Sequence, residues 1–278
     1  MTLNEQIRHF YDTSTNLWLN TWGEHMHHGF YGANGKAKKN HQQAQIDLVD
    51  ELLHWGNVQQ ADQILDAGCG VGGSARYLAK RFGANVKGLT LSPVQAGEAK
   101  SLNEKAGLTG QVNIIVKDLL TLTSADGPFD FVWSMESGEH IPEKENMINR
   151  FYEVLKPGGK FLMATWCIRN EPPTLSPDEQ KLLQKIGKLY HIPPMISIEE
   201  YRKLVQKTGF EQIHTDDWTV AVSPFWKAVI QSAMSLSSFA GLLRAGWPAI
   251  RGAWAMQYMI KGYRMGTLKF GVIQGIKP

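Results

Sequence analysis

The sequence predicts an α/β fold: a mostly parallel seven-stranded sheet with an antiparallel edge strand, an N-terminal helical lid and a C-terminal helical cap. Three observations carry this. Short apolar runs alternate with helical stretches through the middle of the chain. The first run breaks into Gly68-Cys69-Gly70-Val71-Gly72-Gly73, where a helix opens. The last run, Leu268–Ile273, contains Gly271 and joins Glu211–Thr215 as an antiparallel edge pair.

The elements follow in order. Ile64–Ala67 is the first strand, and its glycines lead into a helix over Ser74–Phe82. Asn85–Leu89 is the second. Ser92 caps a helix over Pro93–Lys105 whose first residue is proline, a position where the missing N–H has no intrahelical partner to lose. Val112–Val116 and Phe129–Trp133 are the third and fourth strands, with a helix at Glu143–Leu155. Lys156-Pro157-Gly158-Gly159 is a turn before the fifth strand, Lys160–Trp166. This alternation favours a parallel sheet whose ligand lies across the strand carboxyl ends. Residues 1–40 form the lid segment, 41–220 the core, 221–266 a helical cap inserted before the last strand, and 267–278 the final strand.

Composition bounds the function. The chain has 278 residues, 20% charged and 43% hydrophobic, as a soluble globular protein with one large core would. Cys69 and Cys167 form no disulfide framework and read as small buried hydrophobes. No apolar run reaches the roughly 18 residues that span a bilayer, and the N-terminus lacks a signal-like core. The expectation is a cytoplasmic protein that binds no nucleic acid. Charge is uneven within the net +3: from Trp218 onward there is no Asp or Glu, while seven Lys and Arg, among them Arg244, Arg251, Lys261 and Arg264, accumulate. Trp218, Trp226, Trp247 and Trp254 lie in the same stretch. Pro224–Met265 reads as helices broken at Gly241, at Gly246-Trp247-Pro248 and near Gly262. Two readings stay open: an oily pocket with a basic rim that rests peripherally on anionic lipid, or a helical layer covering the sheet.

The glycine turn is a cradle, because backbone approaches a ligand closely only where side chains are absent, and first-turn amides are unpaired donors. Its spacing, Gly68-x-Gly70-x-Gly72-Gly73, differs from the G-x-G-x-x-G that precedes a pyrophosphate site. Asp66, two residues ahead, would repel a pyrophosphate and attract an amine. S-adenosyl-L-methionine carries both a carboxylate and an ammonium and suits the turn better; a plain tight turn is the alternative. No acid follows the second strand, so Thr90 and Gln95 are the groups available to ribose, and Asp118 can accept from an adenine amine. Gly68, Cys69, Gly70, Gly72, Leu91, Leu119 and Met135 complete the expected cofactor contacts.

Two segments carry candidate chemistry. Just beyond the fourth strand, Glu139 and His140 are placed to reach a transferable methyl group, and an imidazole with an ordinary pKa of about 6.5 suits proton removal. Positioning or structural duty is the alternative. Glu136 follows the strand more closely and reads as a contact to ligand. Ahead of the cradle, Trp22-Gly23-Glu24-His25-Met26-His27-His28-Gly29 is dense in rings. His25 and His28 would share a face in a helix, yet no cysteine or acid completes a metal set. No metal is expected. An apolar aromatic acceptor is, held by Trp22, His25, His28, Glu136, Trp166, Tyr190 and Trp226.

The chain resembles the plant and cyanobacterial tocopherol C-methyltransferases, a branch of the class I S-adenosylmethionine-dependent methyltransferases with a Rossmann-like core. The resemblance runs from Phe10 to Pro278 and is specific in Trp22–Gly29, in Thr90-Leu91-Ser92-Pro93-Val94-Gln95 and in Trp133-Ser134-Met135-Glu136-Ser137-Gly138-Glu139-His140. It implies methylation of a carbon ortho to a phenolic hydroxyl on a prenylated chromanol or benzoquinol, with S-adenosyl-L-homocysteine as product. It also implies that Asp66 and the glycines hold the methionyl part, and that Thr90, Gln95 and Asp118 meet ribose and adenine. Plant indole-alkaloid N-methyltransferases share most of these signatures, so N-methylation of an indole-type acceptor is the alternative activity, and a non-catalytic binder of the cofactor or of lipid a third. The chain departs from the family's wording at Ile168-Arg169-Asn170-Glu171-Pro172-Pro173 and Ile192-Pro193-Pro194-Met195.

Overall fold

The computed structural model describes residues 1–233 and 255–278. Gly241, Gly246-Trp247-Pro248, Trp254, Arg244 and Arg251 therefore lie outside the described residues.

Seven strands make one sheet in the order β3-β2-β1-β4-β5-β7-β6. They are β1 (Gln63–Ala67), β2 (Asn85–Thr90), β3 (Val112–Val116), β4 (Phe129–Met135), β5 (Leu155–Ile168), β6 (Glu211–Asp217) and β7 (Leu268–Ile276). The first five pair in parallel. β7 runs antiparallel to both β5 and β6, so the expected antiparallel pair sits at that edge, with β6 outermost. α3 (Gly73–Phe82) and α4 (Pro93–Lys105) are the crossovers between β1, β2 and β3, and α5 (Lys144–Val154) joins β4 to β5. Ser92 accepts from the Gln95 amide and caps α4 ahead of its first-turn proline.

Alternate strand residues feed two cores, one on each face. Phe131, Trp133, Leu162 and Ala164 enter one cluster, while Val132, Phe161 and Met163 enter the other. The period of two is what a sheet covered on both faces demands.

One expected element differs. Lys156-Pro157-Gly158-Gly159 is not a separate turn but part of β5. Pairing runs from Phe129↔Leu155 to Phe131↔Lys160, so the extra residues bulge out of the ladder, and Gly158 supplies the φ of +77° that the bulge requires.

The N-terminal 40 residues are helical only at first. α1 (Leu3–Trp22) begins in a capping box in which Thr2 and Glu5 satisfy each other's backbone. A non-helical segment follows, crossing the start of α3 before α2 (His41–Trp55). A helix over Phe225–Ala233 and another over 255–265 supply the described part of the C-terminal helices. Among the described residues no helix is long and apolar enough to cross a membrane.

The crossing at α3 is tight. A Cβ on Gly73 would lie 2.2 Å from the Glu24 carbonyl oxygen. Gly73→Ala is expected to displace the 24–27 segment and cost about 1–3 kcal/mol by overpacking, read from the urea midpoint at unchanged m-value. A midpoint equal to wild type would show that the segment is not seated on α3.

Candidate functional site

A cavity of about 940 Å³ opens over the carboxyl ends of β1 to β4. Its floor is the glycine turn. Gly68 adopts a φ of +97°, and a Cβ there would lie 2.3 Å from the Ser137 Cβ, so only glycine lets the turns after β1 and β4 touch. Ser137 seals that contact by donating to the Ala67 carbonyl at 2.6 Å. α1 and the 24–27 segment form the roof. Asn4 donates to Asp118 at 2.7 Å and Ser92 donates to Asp12, which fastens α1 to the loops after β3 and β2.

Most expected cofactor contacts line this cavity: Asp66, Gly68, Cys69 and Gly70 from the turn, Thr90, Leu91 and Gln95 after β2, and Asp118, Leu119 and Met135 farther along the edge. Gly72 does not. It serves instead as the left-handed N-cap residue of α3, with the Arg76 guanidinium 3.0 Å from where its Cβ would be. Thr90 and Gln95 hydrogen-bond each other at 2.7 Å. Asp118 is already partly engaged, one carboxylate oxygen capping the Leu120 amide and the other accepting from Asn4.

Asp66 is buried, and its Oδ2 has no hydrogen-bond partner among the described residues. Burial pushes its carboxyl up to about 7, against the nearby Ala75 amide and Arg76 charge, which favour ionisation. A carboxyl so placed near a helix start, with one oxygen left without a partner among the described residues and lining a cavity, suits a cationic ligand.

Glu136 is the hub of the opposite wall. Its φ is +49°, a left-handed conformation that costs a non-glycine residue energy, and it turns the carboxylate toward the roof. There it accepts from the His28 amide at 2.6 Å, the His28 ring Nδ1 at 2.8 Å and the Trp166 indole N–H at 2.9 Å. Burial alone would raise its pKa, but His28 outweighs that and holds it below the usual carboxylate range. The far nitrogen of His28 meets the Tyr263 hydroxyl at 3.1 Å. One buried carboxylate thus joins the N-terminal segment, β5 and the helix over 255–265.

His140 lines the cavity, with its Nε2 2.9 Å from the Tyr11 hydroxyl. Burial, helped by the Lys144 charge, lowers its pKa to about 4, so the imidazole is neutral at physiological pH. Burial and the neighbouring Glu139 and Glu136 charges raise the Tyr11 phenol well above its ordinary value. Tyr11 was not among the expected site residues; the sequence marks it as an aromatic on a helix, and only the long-range docking of α1 brings it here.

Glu139 does not reach the cavity. The short helical turn at Gly138–His140 sends it inward, where it accepts from Thr165 at 2.9 Å. Burial and the Glu136 charge push its pKa up to about 8, so it stays protonated at neutrality. It is a structural residue of the core, not an acid or base facing a ligand.

The expected acceptor residues divide in two. His25 and Glu136 line the cavity. Trp22, His28, Trp166, Tyr190 and Trp226 do not; they pack on one another, with ring centroids 5.0–6.4 Å apart where they meet Trp226. The Trp226 indole N–H finds no partner among the described residues. The three histidines do not converge. His25 and His27 bond each other at 3.2 Å outside any helix, and His28 turns to Glu136. Burial, then the neighbouring His27 and Arg76 charges, lowers His25 to about 3.

Comparison with known proteins decides the family. Residues 2–222 match the family model for mycolic acid cyclopropane synthetase. The chain is 44% identical, over 99% of its length and 79% of the relative's, to a probable chloroplastic tocopherol O-methyltransferase of Oryza sativa subsp. japonica. The chain belongs to the tocopherol methyltransferase family. A 2-methyl-6-phytyl-1,4-hydroquinone methyltransferase of Synechocystis is 34% identical over 87% of the chain and 72% of that protein. Norajmaline N-methyltransferase of Rauvolfia serpentina is 32% identical over 97% of the chain and 96% of that protein. Among solved structures, the cyclopropane synthase MmaA2 of Mycobacterium tuberculosis superposes with a TM-score of 0.84 at 19% identity, covering 99% of this chain and 98% of that one.

This methyltransferase uses S-adenosylmethionine, and its residues fit that molecule. The unpaired Asp66 oxygen is one test. Gly70 is another: a Cβ there would meet nothing closer than the Gln95 side chain at 3.8 Å, so the backbone is bared to the cavity. Because Asp66 titrates near 7, affinity for the cationic cofactor is expected to rise with pH between 6 and 8, as the carboxyl ionises. Asp66→Asn is expected to weaken binding about 10- to 100-fold and flatten that pH dependence in calorimetry. A pH dependence unchanged in the variant would remove Asp66 from this role.

Proposed function

We propose that the enzyme methylates a ring carbon ortho to the phenolic hydroxyl of a hydrophobic chromanol or prenylated benzoquinol. The observation that carries this reading is the Tyr11–His140 pair: a phenol hydrogen-bonded to a neutral imidazole on the wall of the cofactor cavity. An acceptor phenol needs that same environment. The names of the rice and Synechocystis relatives support the substrate class.

When bound, S-adenosylmethionine supplies an electrophilic methyl on a sulfonium. Asp66 and the bared turn backbone hold its amino-acid end, while Thr90, Gln95 and Asp118 border the ribose and adenine. His140 accepts the acceptor's phenolic proton, relayed through Tyr11. The charge left on oxygen would be shared with the ortho carbon, which would form the new C–C bond as the S–C bond breaks; the ortho proton would then be released to solvent, and His140 would return its proton through Tyr11 to the ring oxygen, restoring the aromatic phenol and the free imidazole. Glu136 holds the roof shut and water out, so the short-lived phenoxide is met by fixed groups rather than solvent. The basic C-terminal stretch, of which Lys261 and Arg264 lie in the described helix, would bring the enzyme to an anionic membrane surface where such acceptors dissolve.

The test is product structure. Wild type incubated with labelled cofactor and matched chromanol, benzoquinol and indole-alkaloid acceptors is expected to place the methyl on aromatic carbon by NMR. A methyl on phenolic oxygen or indole nitrogen would contradict the proposal. His140→Ala is expected to lower kcat about 10²- to 10⁴-fold while leaving cofactor affinity intact. Unchanged turnover at saturating acceptor would show that His140 is no base.

A further inference from the structure

The turn that carries His140 is pinned from three directions. A Cβ on Gly138 would lie 3.2 Å from both the Met163 sulfur and the Thr165 hydroxyl, so the backbone there lies close on β5. The Glu139 side chain points inward to Thr165. From the start of α5, the Lys144 ammonium reaches back and donates to the Gly138 carbonyl at 2.7 Å and to the Glu139 carbonyl at 3.1 Å. His140 follows directly, and of these three turn residues it is the one that lines the cofactor cavity.

Lys144 stands in a costly place for a cation. It is buried, and it opens α5, where the helix dipole is positive. Its hydrogen bonds go to carbonyls, not to a carboxylate. Burial lowers its pKa to about 8, while Glu139 and Cys167, which face it, work the other way, so it remains charged at neutrality. A neutral donor could bridge two carbonyls without that cost. What the charge adds is its effect on a neighbour: after burial itself, Lys144 is the largest influence keeping the His140 imidazole unprotonated. The other groups around that ring are Tyr11 from α1, Glu136 after β4 and His191 at the end of α6 (Pro177–Tyr190). The His191 ring acts in the same direction as Lys144; Glu136 and the His191 backbone oppose it.

We propose that Lys144 is a positioning residue for the reaction: it pins the backbone of the Gly138–His140 turn and sets a buried positive charge beside the imidazole that meets Tyr11. The inference rests on the role given to His140 above and adds the group that places that ring. Lys144 does not line the cofactor cavity, so its effect falls on turnover rather than on binding.

The experiment is an NMR titration of the His140 ring, identified as the resonance that His140→Ala lacks, in wild type, Lys144→Met and Lys144→Gln, with kcat and KM measured on the same proteins at saturating cofactor. In wild type the ring is expected to titrate near 4. Lys144→Met is expected to move it up toward its ordinary value of about 6.5 and to lower kcat about tenfold at pH 7, while KM and the calorimetric affinity for S-adenosylhomocysteine stay within about twofold. With the charge gone the imidazole protonates at higher pH, so kcat of this variant drops further between pH 7 and 5.5, where wild type stays level. Lys144→Gln, which keeps a donor without the charge, is expected to move the ring as far and to lose less turnover. The melting temperature of each variant shows that it is folded. A wild-type ring that titrates near 6.5, a folded variant of either kind whose ring titrates as in wild type, or a Lys144→Met enzyme with wild-type kcat would overturn the assignment while leaving the function standing. Wild type that methylates no chromanol or benzoquinol would instead remove the functional reading, and the catalytic part of this inference with it.

Discussion

The buried Glu136 carboxylate is the constraint on which the site depends. An ionised carboxylate in a protein interior is costly unless several donors surround it, and Glu136 has three, from the His28 amide, the His28 ring and the Trp166 indole. Those donors come from segments far apart in the chain. Satisfying one charge therefore fixes the N-terminal segment over the cofactor cavity and ties it, through His28 and Tyr263, to the helix over 255–265. The left-handed backbone at Glu136 is the strain this network sustains. Removing a single donor would leave the charge undersatisfied, so the arrangement is expected to behave as a unit rather than as three separable contacts.

Burial then sets the protonation states. Glu136 and Glu139 lie three residues apart, yet one is kept ionised by His28 while the other is pushed to about 8 and held neutral beside Thr165. His140 is driven the opposite way, to about 4, which leaves its imidazole uncharged on the cavity wall. The same physical cause, loss of water around a charge, acts on all three, and their different neighbours separate an ionised clamp, a neutral core carboxyl and a neutral imidazole along one short loop.

What the sequence disclosed divides by range. The glycine turn, the capped helix at Pro93–Lys105 and the strand at Val112–Val116 follow from local chemistry, and the structure reproduces them to within a residue. Most of the cavity lining followed too, Gly72 excepted, because strand ends in this topology converge on one edge. Tyr11 was illegible, since nothing within α1 says that it will lie across the loops after β2 and β3. Glu139 and Glu136 could not be told apart, because the positive φ at Glu136 and the short turn after it decide which carboxylate faces the cavity. The ring density around Trp22, Trp166 and Trp226 was plain in the sequence, but only tertiary packing shows those rings meeting one another rather than the described cavity.

Calorimetric titration of S-adenosylhomocysteine into wild type and into Glu136→Gln tests the central claim most directly, because it reads the assembled cavity without requiring an acceptor. The account predicts saturable one-to-one binding by the wild type and a loss of about tenfold or more in the variant, as the clamp's charge-assisted bonds are weakened. Folded wild type that binds nothing, or a variant that binds as tightly as wild type, would contradict it.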